Sequence, residues 1–316
     1  MNKNELNCVS VSLGSSKRDK FVSFSLKGYT VNIYRIGVDG DFLMAQEIIR
    51  KLQDEDVDAI SLGGIDLLLF INQEYFVIKD AYKLYKKSNK KPVVDGSITK
   101  RILEPFIIKK IIDKKIINPN QKVLVVSSLD RFESLRCFLE AGFKTMIADM
   151  IFALKVDKMI FNVEELKDLA KFLLPDVLNL PFNLIYPTGK SQGKRDEKIF
   201  NIVKNYDFDI VVGDFHYINK ILDLLKNKIV ITNTLTDKDI DNLRKVNVGK
   251  VVTTGVFMEG RSFGANVMDC IFAAYCYKNK GLKISPFEEV NQIYLDFLKD
   301  FLEMEKIEGN VVIDSE

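Results

Sequence analysis

The chain is poor in the residues that most often hold a structural metal. It contains one histidine, His216, and four cysteines, none of which belongs to a Cys-x-x-Cys pair. Zinc sites favour cysteine and histidine at short spacing, so the sequence predicts no metal site. The cysteines lie on strand and helix patterns. We expect them to be buried thiols, which suits a reducing cytoplasm.

Long apolar runs and an excess of one charge are also missing. Lys and Arg number 46 against 44 Asp and Glu, which leaves a formal net charge of +2. This balance argues against a protein held on nucleic acid by a strongly basic surface. The apolar runs are soon interrupted by charge, and the polar N-terminus lacks the apolar segment of a signal peptide. We expect a cytoplasmic protein with neither a nucleic-acid nor a membrane partner.

The length and turn signals predict two domains. A chain of 316 residues exceeds one typical domain. The strongest turn cluster between patterned segments is Asn118-Pro119-Asn120. We therefore predict an N-terminal α/β substrate-type domain over residues 1–118. A Rossmann-like α/β domain with a C-terminal helix is predicted over residues 119–316.

The second part alternates short apolar runs with helical patterns. Such runs, without polar alternation, are typical of parallel strands buried on both faces. Strands are predicted over residues 123–127, 145–148, 183–186, 210–212, 229–232 and 251–254. The repeat favours a doubly wound, mainly parallel sheet, because a closed barrel would need about eight such units.

The first part begins with strand patterns and continues with mixed α/β patterns. Residues 8–13, 21–26 and 30–36 are strand-like runs that predict a three-stranded meander. Residues 67–71 and 75–78 flank a polar turn and predict a hairpin.

Ligands of open α/β sheets bind beyond the carboxyl ends of the strands, so residues that follow strands are the candidates. Ser15, Ser16, Lys17 and Arg18 follow the first strand and could bind a phosphate or carboxylate. The alternative is an exposed turn with solvated cations. Asp66 follows another strand and could bind ligand hydroxyls or cap a helix.

The first two strands of the second part carry the candidate cofactor residues. Ser127, Ser128 and Arg131 follow the first strand at a helix N-terminus, which favours an anion. Asp149 ends the next strand, about twenty residues on, where dinucleotide folds place an acid on the ribose. These residues predict NAD or NADP binding. The glycines of G-x-G-x-x-G are absent, so an ordinary helix cap is the alternative.

Asp214, His216 and Lys190 are the candidate catalytic residues. An imidazole is the usual acid or base near neutral pH, and Asp214 could orient it or simply cap a helix. Lys190 lies in Thr188–Ser191, which looks like the end of a Walker A motif. Leu184 stands where the first glycine of that motif would be, so a P-loop is excluded. A lid carrying Lys190 and a plain mobile loop are the remaining interpretations.

The segment after the last predicted strand combines glycines with hydrogen-bonding side chains. Thr254 and Gly255 are predicted cofactor contacts, and Arg261, Ser262 and Asn266 are predicted substrate contacts. Together they predict one wall of a ligand cleft. The alternative is a structural loop capped by Asn266.

Several strings in the chain resemble a known family. They are Val11–Asp19, Gly63–Asp66, Asp130–Phe132, Tyr186–Lys190 and Gly260–Gly264. With these strings, over most of its length, the chain is similar to bacterial proteins described as quinate/shikimate 5-dehydrogenase-like. The resemblance implies a catalytic lobe followed by a nicotinamide-binding lobe.

These observations leave three functional hypotheses. The first is an enzyme acting on a small anionic metabolite, most concretely an NAD(P)-dependent oxidoreductase. The second is an isomerase or lyase that uses the same cleft without a cofactor. The third is a ligand-sensing protein without turnover. A homo-oligomer is compatible with all three.

Overall fold

The computed structural model describes residues 4–72, 74–181, 195–258, 261–287, 295–296, 298–299 and 310–314. For residues 256–258, 261–262 and 310 it describes the backbone alone. Two sheets organise this part of the chain, and each is mostly parallel. The predicted α/β fold class is confirmed.

The first sheet has five strands in the order β2-β3-β1-β4-β7. They are β1 (Glu5–Ser12), β2 (Lys20–Leu26), β3 (Tyr29–Gly37), β4 (Ala59–Gly63) and β7 (Val93–Val94). The predicted meander is wrong, because β1 pairs in parallel with β3 and β4 rather than with β2. The burial patterns give the reason. Strand β1 is buried on both faces over most of its length, which suits a central strand, whereas β2 alternates buried and exposed residues, which suits an edge.

Connections of the first sheet include a hairpin and two helices. The hairpin, as predicted, pairs β5 (Leu68–Ile71) with β6 (Glu74–Val77). Helix α1 (Phe42–Lys51) is capped by the side chain of Asp41, and α2 is Lys79–Tyr85. Helix α3 (Ser97–Asp113) then leads from the first sheet to the second.

The second sheet has six strands in the order β15-β12-β11-β10-β8-β9. They are β8 (Lys122–Val125), β9 (Lys144–Ile147), β10 (Ile210–Gly213), β11 (Ile229–Thr232), β12 (Lys250–Thr253) and β15 (Asn310–Asp314). All are parallel except β15, an antiparallel edge that the sequence did not predict. The predicted strand over residues 183–186 lies outside the described residues.

Helices connect the strands of the second sheet as the βα pattern predicts. They are α4 (Phe132–Glu140), α5 (Asp149–Leu154), α6 (Val163–Val177), α7 (Glu197–Val203), α8 (Phe215–Ile218) and α9 (Asp237–Lys245). Strand β8 shows why its sequence lacks alternation. Val123 and Val125 join one apolar cluster, while Leu124 and Val126 join the cluster on the opposite face.

The chain returns to the first sheet after the second is nearly complete. Strands β13 (Val256–Met258) and β14 (Arg261–Phe263) form a hairpin, and α10 (Ala265–Lys280) follows it. Helix α10 packs against β1, β4, β7 and α3. The predicted division after residue 118 lies between the two sheets, but α10 joins the later part of the chain to the earlier sheet. Most of the predicted C-terminal helix, near residues 286–305, lies outside the described residues.

Candidate functional site

Each sheet has one point where its connections change direction. In the second sheet β8 lies between β9 and β10, and in the first sheet β1 lies between β3 and β4. Open α/β sheets bind ligands at the carboxyl ends of the strands beside such a point. The loops that follow β1, β4, β8 and β10 are therefore the place to look for a site.

The loop after β4 turns on a glycine that approaches the loop after β1. Gly64 has φ +70°, and a Cβ atom there would lie 3.2 Å from the backbone nitrogen of Gly14. A side chain at this position would be strained by the left-handed backbone and would also crowd the backbone of Gly14. The chain then continues to Asp66, while the next amide, that of Leu67, donates a 2.6 Å hydrogen bond to Asp95.

Lys100 joins the two sheets at these loops. Its ammonium lies 2.5 Å from a carboxylate oxygen of Asp66, which follows β4, and also binds Asp130, which follows β8. The Lys100 side chain is 10 % exposed. Lysine is seldom buried unless it is paired, so the two acids explain how it is accommodated here.

Two buried carboxylates hold the first turn of α3, from which Lys100 projects. Asp95 accepts hydrogen bonds from the amide and hydroxyl of Ser97. Asp269, on α10, accepts from the amides of Ile98 and Thr99 and from the Thr99 hydroxyl. The amides at this helix start therefore have two side-chain acceptors, Asp95 from the loop just before α3 and Asp269 from α10.

Arg131 extends the ion-pair network across the second sheet. It contacts Glu104 of α3 at 3.2 Å, pairs with Asp130, and lies 3.8 Å from Asp214 after β10. Asp214 also accepts a 3.1 Å hydrogen bond from Asn233, which follows β11. We call the connected set of Asp66, Lys100, Glu104, Asp130, Arg131 and Asp214 the interlobe cluster.

Burial and pairing shift the proton affinities of the interlobe cluster. Burial raises the pKa of Asp66, with the neighbouring Asp130 adding to the effect. Burial would also raise the pKa of Asp130, but Lys100 and Arg131 outweigh it and the pKa is lowered. Burial opposes the charged form of Lys100, yet Asp130 and Asp66 together raise its pKa above the ordinary value. Lys100 is therefore a stable ammonium donor, and Asp66 holds a proton more readily than Asp130, the other acid bound to Lys100.

Tyr217 on α8 borders the same loops. Its ring makes an edge contact with Phe152, and the ammonium of Lys220 lies 4.6 Å from the ring centroid. Burial raises the pKa of the Tyr217 hydroxyl, and the charge of Asp214 raises it further. The phenol therefore remains a hydrogen-bond donor at neutral pH.

The predicted cofactor residues after β8 and β9 bind one another. The Asp149 carboxylate accepts hydrogen bonds from the amide and hydroxyl of Ser128 and from the amide of Leu129. The Ser127 hydroxyl accepts from the amide of Asp214. A bound pyrophosphate would need the amides of Ser128 and Leu129, which already donate to Asp149. A bound ribose would need the carboxylate oxygens of Asp149, which already accept three hydrogen bonds. The NAD(P) assignment of these residues stays a prediction.

Thr254 and Gly255 follow β12 at the carboxyl end of the second sheet. The amide of Thr254 donates a hydrogen bond to the carbonyl of Thr232, and the amide of Gly255 donates one to the carbonyl of Asn233. Thr254 is buried, and Gly255 is partly exposed. They lie near the interlobe cluster, since Thr254 lines the same small cavity as Arg131.

The predicted substrate residues after β1 form a separate turn. The Ser16 amide and hydroxyl bind Asp39, and Ser15 caps the short 3-10 helix that includes Lys17 and Arg18. Ser16, Lys17 and Arg18 are exposed. This matches the exposed-turn alternative for the cations, although the turn lies at the carboxyl end of β1.

The remaining predicted residues fall in different places. Asn266, at the start of α10, donates to the Ser10 hydroxyl at 3.0 Å and so ties α10 to the first sheet. His216 is exposed on α8, and its amide is capped by Asp214. Lys190 and the side chains of Arg261 and Ser262 lie outside the described residues.

Sequence reasoning missed Lys100, Glu104, Asp130 and Asn233. A signal for the first two is present. Lys100 and Glu104 are spaced four residues apart on one side of a helix whose other residues include Ile98, Leu103 and Ile107. A Lys–Glu pair in an apolar helix that connects two sheets is a reason to expect buried charge.

Two further searches were confined to the described part of the chain. No group of three or more His, Cys, Asp or Glu residues there is arranged to hold a metal ion. No helix there is both long enough and apolar enough to cross a bilayer.

Solved structures with a similar fold outline share little sequence with this chain. A sugar-transport substrate-binding protein from Bordetella parapertussis is 10 % identical over 92 % of this chain and 86 % of its own, with a TM-score of 0.38. A galactofuranose-binding protein is 12 % identical over 96 % of this chain and 100 % of its own, with a TM-score of 0.37. Glutamate dehydrogenase from Plasmodium falciparum is 10 % identical over 96 % of this chain and 69 % of its own, with a TM-score of 0.46. At these scores the likenesses carry no functional argument.

Comparison with sequence families gives two matches. No curated protein matches the chain. Residues 7–95 match a domain of unknown function, DUF8753, and residues 98–300 match a second one, DUF8754. The first match ends two residues before α3, and the second begins in the first turn of α3, two residues before Lys100. Since the second match covers more than half of the chain, this protein belongs to the DUF8754 family.

Proposed function

We propose that this protein is an enzyme that moves a proton to or from a small polar metabolite bound at the interlobe cluster. One observation carries the proposal: buried Lys100 binds carboxylates from the switch points of both sheets. A buried ion network of this kind contributes little net stability compared with apolar packing. Ionisable groups held in such an environment are more often functional than surface pairs.

The two members of the Asp66–Lys100 pair have complementary roles in this proposal. Burial raises the pKa of Asp66, which makes its carboxylate a stronger base than that of an ordinary aspartate. Asp66 would take a proton from a substrate hydroxyl or from a carbon beside a carbonyl. The Lys100 ammonium would donate a hydrogen bond to the oxygen on which negative charge develops.

Hydride transfer to NAD or NADP is the second candidate function. Asp66 would then accept the proton of a substrate hydroxyl, while the carbon that bears this hydroxyl would transfer a hydride to the nicotinamide. The order of β9, β8 and β10, with Asp149 directly after β9, favours this version. The resemblance to the quinate/shikimate 5-dehydrogenase-like proteins favours it as well. Against it stand the amides of Ser128 and Leu129, which already bind Asp149.

Proton transfer can be tested before the substrate is identified. The purified chain is incubated in D2O with a pooled set of small hydroxylated and carbonyl metabolites, with and without NAD and NADP. Mass spectrometry then follows deuterium incorporation and product formation. We expect one compound to exchange or to be converted, and we expect Asp66→Asn and Lys100→Met to reduce the rate by about 100-fold or more.

The matched control is Asp113→Asn, at the exposed C-terminal end of α3. It should leave the rate unchanged. Conversion that appears only with NAD or NADP would select the oxidoreductase version. A rate that survives both cluster substitutions in folded protein, or no exchange in any pool, would overturn the proposal.

A further inference from the structure

One face of the first sheet is only partly covered by the described part of the chain. Helix α10 lies on the face that carries Ser10, since Asn266 donates a hydrogen bond to the Ser10 hydroxyl. Successive side chains of a strand point to opposite faces, so Val9 lies on the other face together with Tyr34, its neighbour on β3. Helix α1 packs against β1. Tyr34 nevertheless remains 44 % exposed, so the part of this face that β3 forms is open to contact.

A groove of about 700 Å³ runs along this open face. Its apolar lining includes Val9, Leu52 and Val57, and the Tyr34 ring also lines it. The ring centroids of Tyr34 and Phe21 are 4.6 Å apart, and Phe21 is 53 % exposed. Exposed aromatic side chains beside an apolar groove are typical of a surface that contacts another protein.

The two ends of the groove carry opposite charges. Glu55 and Asp56 line the end at which β4 begins. Lys20 lines the other end, where it begins β2 and pairs with Arg35 near the end of β3. Arg35 is neutralised by Asp19 at 2.8 Å. The exposed side chains of Glu55, Asp56 and Lys20 form no ion pair with any described residue, so these charges are available to a partner.

We propose that this groove is the contact surface between two copies of the chain, related by a twofold axis that crosses the groove. In such a contact each surface meets the same surface turned through 180°, so the acidic end of one copy faces the basic end of the other. Glu55 and Asp56 pair with the partner's Lys20, and the same contact recurs on the other side of the axis. Tyr34 and Phe21 become buried between the copies.

The position and the charges of the groove favour a second copy over a small ligand. The groove lies on the face of the sheet, whereas ligands of open α/β sheets bind beyond the carboxyl ends of the strands. Opposite charges at the two ends make the groove complementary to itself, but a small anion or cation complements only one end. The inference goes beyond the proposed function, because none of the residues that line the groove belongs to the interlobe cluster.

Charge reversal with mixing of variants tests the twofold contact. The double variant Glu55→Lys, Asp56→Lys sets like charges against the partner's Lys20, and Lys20→Glu sets like charges against the two acids. Analytical ultracentrifugation of the full chain measures the dimer dissociation constant. We expect a wild-type dimer, and we expect each variant alone to dissociate at least about tenfold more readily. An equimolar mixture of the two variants should regain near wild-type affinity, because a mixed dimer restores both charge contacts.

A matched control reverses two exposed acids on α6. Glu164→Lys, Asp168→Lys changes the net charge by the same amount as the acidic-end variant and should leave the dissociation constant unchanged. Melting temperatures of all variants establish that each is folded. Because the reversed side chains are exposed, we expect little change in these temperatures.

A cross-linking experiment on the wild-type chain does not depend on the folding of any variant. Carbodiimide joins a carboxylate to a nearby amine, and a mixture of unlabelled and isotope-labelled chains distinguishes links between copies from links within one copy. We expect a link between copies that joins Lys20 to Glu55 or Asp56. Its absence in a dimer would overturn the inference.

Three results of the ultracentrifugation would also overturn the inference. A wild-type chain that is monomeric at every concentration would leave the groove to a small ligand or to another segment of the chain. A dimer that both charge-reversal variants retain would have its contact elsewhere. Variants that dissociate when separate but do not associate when mixed would exclude the pairing of the acidic end with the basic end.

Discussion

The ammonium of Lys100 lies 2.5 Å from the carboxylate of Asp66, although the two residues are 34 positions apart and belong to different structural segments. Lys100 projects from the helix that leads to the second sheet, and Asp66 follows a strand of the first. Because the same ammonium also binds Asp130, its removal affects both sheets.

Lys100→Met should destabilise the fold. The substitution removes the shared cation and leaves Asp66 and Asp130 close together in a poorly solvated site. We expect a loss of about 3 kcal/mol in the free energy of unfolding, measured by urea denaturation. The double variant with Asp66→Asn should recover part of this loss. A loss below about 0.5 kcal/mol would mean that the pair is effectively solvated.

Asp269 should make stability depend on pH. It is fully buried, and burial raises its pKa to about 7, well above the value of about 3.9 expected in the unfolded chain. Between these values the folded state binds more protons than the unfolded state. The contribution of Asp269 to stability is therefore fully present below about pH 4, declines as pH rises to about 7, and is constant above that.

Comparison with Asp269→Asn isolates this effect from those of other acids. The difference between the unfolding free energies of wild type and variant, measured from pH 4.5 to 8, should change in favour of the variant as pH rises. Its steepest slope should approach about 1.4 kcal/mol per pH unit below pH 7. Parallel curves for the two proteins across this range would show that Asp269 does not titrate there.

Gly96 should tolerate substitution less well than Gly28. Both have positive φ, +98° and +78°, so alanine is strained at either position. At Gly96 a Cβ atom would also lie 2.6 Å from the backbone nitrogen of Asn266, whereas at Gly28 it would meet nothing within 4 Å. Gly28→Ala should cost about 1–2 kcal/mol, and Gly96→Ala should cost clearly more. Equal melting temperatures for the two variants would contradict the close approach of α10.

Asp149→Ala should loosen the loop after β8. The carboxylate accepts three hydrogen bonds from Ser128 and Leu129, and their donors would lose this partner. We expect a loss of about 2–3 kcal/mol and faster amide exchange at these two residues. If Asp149 instead binds a ribose, wild-type protein should bind NAD or NADP in a calorimetric titration and the variant should bind it more weakly. Unchanged stability together with lost cofactor binding would favour that role.

The sequence alone determined the fold class of the second sheet. Strands such as β8 and β10 are short and apolar on both faces, and each is followed by polar residues at a helix start. These properties arise from burial of both faces, so they are visible in the local pattern. For the same reason Asp66, Arg131 and Asp214 could be selected as candidates: each lies in the loop, or at the helix start, that comes after a strand.

The tertiary structure decided which of these residues meet. Local pattern does not distinguish the parallel pairing of β1 with β3 from a meander, because the pairing depends on the path of the chain between them. The same limit applies to Lys100. Its local sequence is that of an ordinary helical lysine and does not show that α3 connects the two sheets. Its burial, its two acids and the contact of α10 with the start of α3 result from packing between distant segments. Ion pairs of this kind form only when the backbone of both partners is already fixed, and the sequence near either residue does not contain that information.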